Sequence, residues 1–292
     1  DPLQFAAGAN RLAFSGELPV PHRLDPARLP PMEAAFELDA PELARLHAAL
    51  TGGKARGHGK IALKDGIVSV EGDLNADGVQ GGDFGVGQVH ASVRLARPLG
   101  RPAEPAARWL EGVEGEAGLE AQALRFREFA ARGLSFRIPV SGTAVRVEQF
   151  DLDLNDRDQV SGAASFSLKA PISYDAWLYG DVQDLAVFQP FVAMPVAGAL
   201  QVRWHGAGDL GRMRHTGEGE LRIQRGRLGA LTRVDAALAG VYSPEAIDLT
   251  QFRLTSDQGT VQAGVQLRDQ RLRVEELKLT AGEHGTVTGS LT

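Results

Sequence analysis

The stretch ALQVRWHGAGDLGRMRHTGEGELRIQ, residues 199–224, decides the fold class of this chain. Leu200, Val202 and Trp204 alternate with polar residues, and the same alternation returns at the end of the stretch. Because successive side chains of a β-strand point to opposite faces of the sheet, this pattern predicts two strands, each with one apolar and one polar face. The glycine clusters at 206–208 and 217–219 predict the turn that joins them.

The same period of two recurs along the whole sequence, for example at 145–154 and 261–267. Strand signals return every 8–12 residues or so, separated by turn signals such as Asp65-Gly66, which is the spacing of an all-β protein. Antiparallel strands with one wet face explain such alternation best. The predicted fold class is therefore all-β, an antiparallel sheet with a few short helices.

Two alternating runs change phase in the middle. The apolar parity shifts between Leu249 and Phe252, and again between Val274 and Leu277. One odd residue would turn the apolar side chains toward solvent unless the strand is irregular there, so a bulge or a tight corner is predicted at both places. Regular bulges indicate a strongly curved sheet.

Three short segments resemble helices. Asp39 to Leu50 has an N-cap residue, a proline and an acid in the first turn, and one apolar stripe. Asp184 to Phe188 is a second candidate and Glu104 to Leu110 a third. Residues 19–31 and 98–105, which are rich in proline, are predicted to be irregular connectors.

The sequence contains a loose internal repeat. Residues 36–95 and 179–240 each hold a short helix signal followed by glycine-punctuated strands, and Gly72-Asp73-Leu74 of the first corresponds to Gly219-Glu220-Leu221 of the second. We interpret 1–292 as one continuous segment of an elongated β-groove. Because the chain begins without Met and ends inside an alternating pattern, we also expect it to be a fragment of a longer polypeptide.

Composition excludes several classes of function. The chain has 31 Lys and Arg against 37 Asp and Glu, a formal charge of -6, so it lacks the basic footprint of a nucleic-acid-binding protein. It has no Cys, which excludes disulfides, thiol nucleophiles and Cys-ligated metals. The longest uncharged window, 185–202, contains two prolines and a glycine and does not predict a membrane helix. A soluble segment is expected.

Motifs of catalysis or metal binding are weak. Gly206 to Gly211 fits GxGxxG, but no helical stripe follows it to hold a dinucleotide, so a turn is predicted there. Asp73-x-Asn75-x-Asp77 matches half of a calcium loop, and 151–158 forms an acidic cluster. Structural calcium is the alternative at these two places to a strand's solvent face. The prediction is no enzyme, no cofactor and no metal.

The apolar strand faces must be covered by something. The helices are too few, and large aromatics are sparse: 3 Trp, 3 Tyr and 12 Phe. One hypothesis is a closed sandwich or barrel with a dry core; the other is a U-shaped sheet whose inner face is an open apolar groove. The candidate groove lining consists of the apolar residues of the alternating strands, namely Ile61, Leu63, Val68, Val70, Leu74, Val145, Val147, Leu152, Leu154, Leu200, Val202, Trp204, Leu221, Ile223, Val234, Leu238, Leu249, Leu254, Val261, Val265, Val274 and Leu279.

Residues 38–95 and 181–267 resemble repeats of the AsmA-like superfamily, which includes TamB- and YdbH-type proteins. The resemblance covers about 36–95 and 176–292, and 112–170 more loosely. The shared pattern is a short helix, then G-x-h-x-h-x-h-x-G (h, apolar), then G-[DE]-L, a glycine-bearing hairpin, and strands that end in h-x-G-x-h. The resemblance implies a β-taco, which is a bent sheet with a hydrophobic lumen. It also implies a periplasmic location in a Gram-negative cell envelope and a parent protein anchored in the inner membrane outside this segment.

The function implied by the resemblance is bridge-like transport of phospholipids between inner and outer membranes, with acyl chains in the hydrophobic groove. A strand of seven residues spans about 23 Å, comparable with an extended acyl chain, and some 18 strands would form a groove roughly 85 Å long. Two alternatives stay open. One is a structural envelope or surface β-domain, and the other is an outer-membrane assembly factor whose free sheet edge pairs with a barrel protein.

Overall fold

The computed structural model describes residues 3–17, 30–99, 112–167, 169, 171–212, 214–268, 271–281 and 285–291. Of these residues, 78% lie in strands and 4% in helices. The chain divides into two compact units, residues 1–152 (unit 1) and 153–292 (unit 2). The predicted helix at 104–110 lies outside the described residues, and so do most of the two predicted connectors, 19–31 and 98–105.

Unit 1 is an antiparallel meander, in which each strand pairs with the next along the chain. Its strands are β1 (Leu3–Ala7), β2 (Asn10–Glu17), β3 (Met32–Ala40), β4 (Gly52–Lys64), β5 (Ile67–Gly81), β6 (Phe84–Pro98), β7 (Val113–Phe126), β8 (Phe129–Gly142) and β9 (Ala144–Asp153).

Unit 2 repeats this arrangement. Its strands are β10 (Gln159–Ser167), β11 (Ser173–Val182), β12 (Val196–Asp209), β13 (Arg214–Leu228), β14 (Leu231–Tyr242), β15 (Ala246–Ser256), β16 (Gly259–Arg268), β17 (Arg271–Thr280) and β18 (Thr286–Leu291). The predicted fold class is confirmed: the protein is all-β, and the strands of each unit pair antiparallel with their neighbours along the chain.

The strand registers shift at both places where a bulge or a tight corner is predicted. The β15–β16 register shifts between Leu249 and Phe252, and the β17–β18 register shifts between Val274 and Leu277. The extra residue at each place returns the apolar side chains to the same face. Further shifts interrupt the β12–β13, β13–β14 and β14–β15 registers, so every pairing from β12 to β15 is irregular at one or more places.

The first predicted helix is much shorter than expected. Asp39 belongs to strand β3, and only Leu43–Arg45 form a helix, of the 3₁₀ type. The reason is a contact from far along the chain: the buried Asn10 side chain donates to the Glu42 carbonyl at 2.9 Å and accepts from the Glu42 N–H at 2.9 Å. These bonds satisfy the Glu42 backbone in a non-helical conformation, so the helix begins after it.

The second predicted helix exists as a 3₁₀ helix at Leu185–Phe191 and runs through Pro190 rather than ending before it. Asp184 is its N-cap, and its carboxylate accepts from the Ala186 N–H at 2.9 Å. Among the described residues, neither 3₁₀ helix nor any other helix has the length and apolar character needed to span a bilayer.

The glycine clusters that predicted a turn in 199–224 lie inside strands instead. Gly206 and Gly208 belong to β12, and Gly217 and Gly219 belong to β13. The turn follows Asp209, whose carboxylate accepts from the backbone N–H groups of the two residues that follow Leu210, at 2.8 and 3.1 Å. The role of these glycines is packing on the sheet face rather than turn formation.

Candidate functional site: an open apolar face

The strand registers place apolar side chains on one common face in each unit. In unit 1, Phe36 lies opposite Gly59, and Ile61 opposite both Ala34 and Val70. In unit 2, Leu200 lies opposite Ile223, and the series continues across the following strands. The apolar face of unit 2 is defined by the residues that share this register, principally Phe166, Tyr174, Leu178, Leu200, Val202, Trp204, His215, Gly219, Leu221, Ile223, Leu238, Gly240, Tyr242, Ile247, Leu249, Phe252, Leu254, Val261, Val265, Leu267, Leu272, Val274 and Leu279.

The opposite face of each unit is polar and carries cross-strand ion pairs. In unit 1, Arg94 contacts Glu71 at 2.8 Å, and Lys60 contacts Glu33 at 3.3 Å. In unit 2, His205 Nε2 lies 3.1 Å from an oxygen of Asp175. These groups are exposed, so they add little stability, but they keep this side of the sheet in water. One face is therefore mainly apolar and the other mainly polar.

The apolar face is not packed as a dry core. The buried hydrophobic side chains among the described residues are all Ala, Val or Leu, with no aromatic residue, Ile or Met among them. Large apolar residues on the apolar faces remain accessible: Ile61 is 38% exposed, Ile247 44% and Leu272 49%. Two interdigitated sheets bury such side chains almost fully. The described residues thus leave much of each apolar face uncovered.

The predicted lining residues fall mainly on these faces. In unit 1 they lie on β4, β5 and β9; the β4–β5 register places those of β4 and β5 on the apolar face, where Leu63 is buried. In unit 2 they lie on β12 to β17, where Val234 is completely buried; Leu154, which follows β9, is also buried. The structure brings the unit 2 set together most closely around Trp204, Leu221, Leu238 and Leu249.

Several residues of the apolar face are absent from the predicted groove lining. Ile247, Leu267 and Leu272 continue alternating runs already recognised, so extending the parity by one step would have found them. Phe36 sits in a run interrupted by acids, and its position becomes clear only from its pairing with Gly59. His215 lies in a glycine-rich segment that predicts a turn rather than a strand.

A notch lies in the apolar face of unit 2. It has a volume of about 190 Å³, and it is lined by Trp204, Leu238, Tyr242 and Ile247 among others, over Gly219 and Gly240. A Cβ atom on Gly219 would have no neighbour closer than 3.5 Å, so there is free space above this residue. The opposed Gly240 also borders the notch, but a Cβ atom there would lie 2.5 Å from the Asp248 carbonyl oxygen, so the free space is above Gly219.

Aromatic rings lie flat along the apolar faces where glycines permit it. A Cβ atom on Gly206 would lie 2.2 Å from the Trp204 ring, and one on Gly59 would lie 2.5 Å from the Phe36 ring. Both distances are far below van der Waals contact, so no side chain fits beneath either ring. The glycines therefore allow large rings to cover the strands without rising far above them.

One polar pair interrupts the apolar face of unit 2. The Tyr174 hydroxyl lies 3.1 Å from His215 Nδ1, and the ring centroids are 5.7 Å apart. Burial raises the pKa of the Tyr174 hydroxyl, with a smaller contribution from Tyr242. The hydroxyl consequently stays protonated and is available as a hydrogen-bond donor.

A second depression, of about 480 Å³, lies on the polar side of unit 2 beside the exposed Trp177. Tyr179, Arg203 and His205 line it, with the Arg203 guanidinium 5.8 Å from the centre of the Tyr179 ring. It is open to water and bordered by charges, in contrast to the notch.

The half calcium loop is part of a strand. Asp73, Asn75 and Asp77 lie on the polar face of β5; Asn75 contacts His90 at 2.9 Å, and Asp77 contacts Lys54 at 3.6 Å. In the part of the chain that the structure describes, no group of three or more His, Asp or Glu residues could hold a metal ion.

The acidic cluster at 151–158 is organised around a buried carboxylate. Asp158 accepts from the Gln183 backbone N–H at 2.6 Å and from the Asn155 side chain at 2.7 Å. Its carboxylate therefore ties the turn before β10 to the chain that leads into the second 3₁₀ helix. These contacts give the cluster a structural role within unit 2.

Comparison with known proteins gives no match. No protein-family model matches the chain, and neither the curated proteins nor the solved structures contain a significant match.

Proposed function

We propose that this protein is a segment of a periplasmic bridge-like protein that carries phospholipids between the inner and outer membranes, with acyl chains lying on the apolar face of each unit. The observation that supports this most is the combination of large exposed apolar side chains on one face and solvated ion pairs on the other. A hydrocarbon chain can cover such a face without needing any hydrogen-bond partner.

The energetics suit a carrier rather than a trap. Each methylene group that moves from water to an apolar surface gains about 0.8 kcal/mol, but it gains little relative to a bilayer. Since acyl chains would enter from a membrane, their transfer onto the face is close to neutral in free energy. A lipid could then move along a series of similar strands, and no chemical step is required of the protein.

The alternative of a structural β-domain with a dry core is less well supported. It needs a second layer over the apolar face, and the described residues of each unit bury no aromatic residue or Ile in such a layer. An assembly factor acting through a sheet edge would use β-strand pairing and gives no reason for an exposed apolar face.

Paired photo-crosslinking positions test the proposal. A photoreactive amino acid replaces Ile61 or, in the matched control, the adjacent Lys60 on the polar face; Leu279 and Lys278 form the same pair in unit 2. After irradiation in cells, mass spectrometry should find phospholipid adducts at Ile61 and Leu279 and none at the two lysine positions. Equal labelling at all four positions, or protein adducts alone at Ile61 and Leu279, would reject a lipid-carrying face.

A further inference from the structure

The polarity of the apolar face of unit 2 changes along strand β13. Ile223, Leu221 and Gly219 occupy the apolar end, and Gly217 and His215 follow toward the start of the strand. His215 is four residues from Gly219, which is roughly 13 Å at the rise of an antiparallel strand. An apolar notch and a polar pair therefore lie on one face at a distance that a single amphiphile can span.

The notch fits a hydrocarbon chain better than a peptide. Strands β12 and β13 pair with a neighbour on both sides, so their backbone N–H and C=O groups around the notch are already bonded; β14 is paired in the same way except at Gly240, where its register with β15 shifts. A peptide placed over Gly219 and Gly240 would bury its own backbone polar groups without partners, at a high cost in free energy. A hydrocarbon chain carries no such groups.

The polar end carries a hydrogen-bond donor. If the protonated Tyr174 hydroxyl donates to His215 Nδ1, the imidazole hydrogen resides on Nε2, for which the described residues provide no acceptor. The imidazole N–H group at this end of the apolar face complements an anion.

We propose that the notch over Gly219 and Gly240 and the Tyr174–His215 pair together form one binding site for a phospholipid. One acyl chain fills the notch, and the phosphate accepts hydrogen bonds at the Tyr174–His215 end. This inference rests on the proposed function and adds to it a defined resting position with a headgroup contact. It predicts that a phosphate strengthens binding at a site whose remaining lining is apolar.

Quenching of Trp204 fluorescence by lipids with brominated acyl chains tests the acyl-chain end. The other two tryptophans, Trp109 and Trp177, are replaced by Phe, and the full chain is titrated with brominated phosphatidic acid in dodecyl maltoside micelles. Gly219→Leu should fill the notch and weaken quenching at least tenfold. Gly289→Leu adds the same side chain to β18, where a Cβ atom has no neighbour within 4 Å, and should leave quenching unchanged.

The headgroup end is tested by comparing lipids. The chain with Trp204 as its only tryptophan should bind brominated phosphatidic acid about tenfold more tightly than brominated diacylglycerol, as expected for hydrogen bonds to a charged group. Replacing Tyr174 and His215 together by Phe should remove this preference while diacylglycerol still quenches Trp204. A preference that survives the double substitution would overturn the headgroup assignment, and equally tight binding of a brominated fatty acid would show that the site selects any anion rather than phosphate.

The two proposals can fail separately. If Gly219→Leu is quenched like the parent protein while lipid adducts still form at Ile61 and Leu279, the site over Gly219 is wrong and the lipid-carrying face stands. If neither quenching of Trp204 nor lipid adducts are observed, both proposals are wrong.

Discussion

Truncation of Ile247 measures directly whether the apolar face is open. Ile247 lies on β15, in the middle of unit 2, and is 44% exposed; Val234, on the neighbouring strand β14, is completely buried. Ile247→Ala removes three carbon atoms, and a little over half of the Ile247 surface is buried. At roughly 0.8 kcal/mol per fully buried carbon, the transfer free energy lost is about 1.3 kcal/mol. No cavity forms, because the side chain borders open space.

Val234→Ala removes fewer atoms but should cost more. Two buried methyl groups account for about 1.6 kcal/mol of transfer free energy, and a cavity that does not collapse adds up to about 1 kcal/mol. Val234→Ala is therefore expected to lower the free energy of unfolding more than Ile247→Ala, although valine is the smaller side chain. Urea unfolding, monitored by the hydrogen exchange of amides in β14 and β15, gives both free energies in the same unit.

The reasoning is refuted if Ile247→Ala costs about 3 kcal/mol or more, the value typical of fully buried Ile or Leu residues. Such a cost would mean that the apolar face is covered in solution. A cost for Val234→Ala below that of Ile247→Ala would contradict the burial on which the calculation depends.

Three further outcomes follow from other contacts. Asn10→Ala removes two hydrogen bonds from the backbone before the first 3₁₀ helix and should destabilise unit 1 by about 2–4 kcal/mol in urea unfolding. The control Asn75→Ala, on the polar face, should change the free energy of unfolding by less than about 0.5 kcal/mol. Equal effects of the two substitutions would contradict the role of Asn10. Gly59→Ala should cost about 1–3 kcal/mol, since its Cβ meets a carbonyl and the Phe36 ring, while Gly289→Ala should be neutral within about 0.5 kcal/mol in the same assay. Hydrogen bonds from Thr232 lower the pKa of Asp257, so the contribution of this carboxylate to stability should be present above about pH 3.9 and disappear as the pH falls through the lower folded pKa. NMR titration of the Asp257 carboxyl should show a lowered pKa. An unshifted pKa would contradict the hydrogen bonds.

Much of the fold is predictable because period-two alternation is a local property of the sequence. The strands, the antiparallel class and the bulges at 249–252 and 274–277 follow from it. The helix at 39–50 was wrong because its boundary is set by Asn10, some thirty residues earlier in the chain. No local pattern carries that contact.

The candidate site was predictable to a similar degree. Alternation identifies most of the apolar face, but it does not indicate how far each side chain is covered, as the buried Val234 shows. The glycines under Trp204 look like turn residues because glycine is frequent in turns, and only the strand register shows that they make room for an aromatic ring. Tyr174 and His215 are 41 residues apart and meet through three adjacent strands, so sequence spacing could not pair them.

The most direct test of the central claim is the amount of phospholipid that stays bound when the protein is purified from cells without detergent, measured by native mass spectrometry. The expected result is bound phospholipid in the natural protein, its loss when Val202 and Leu221 on the apolar face are both changed to Asp, and its retention when their polar-face neighbours Arg203 and Glu220 are both changed to Ser. Natural protein that is folded and free of phospholipid would contradict the claim that acyl chains occupy this face.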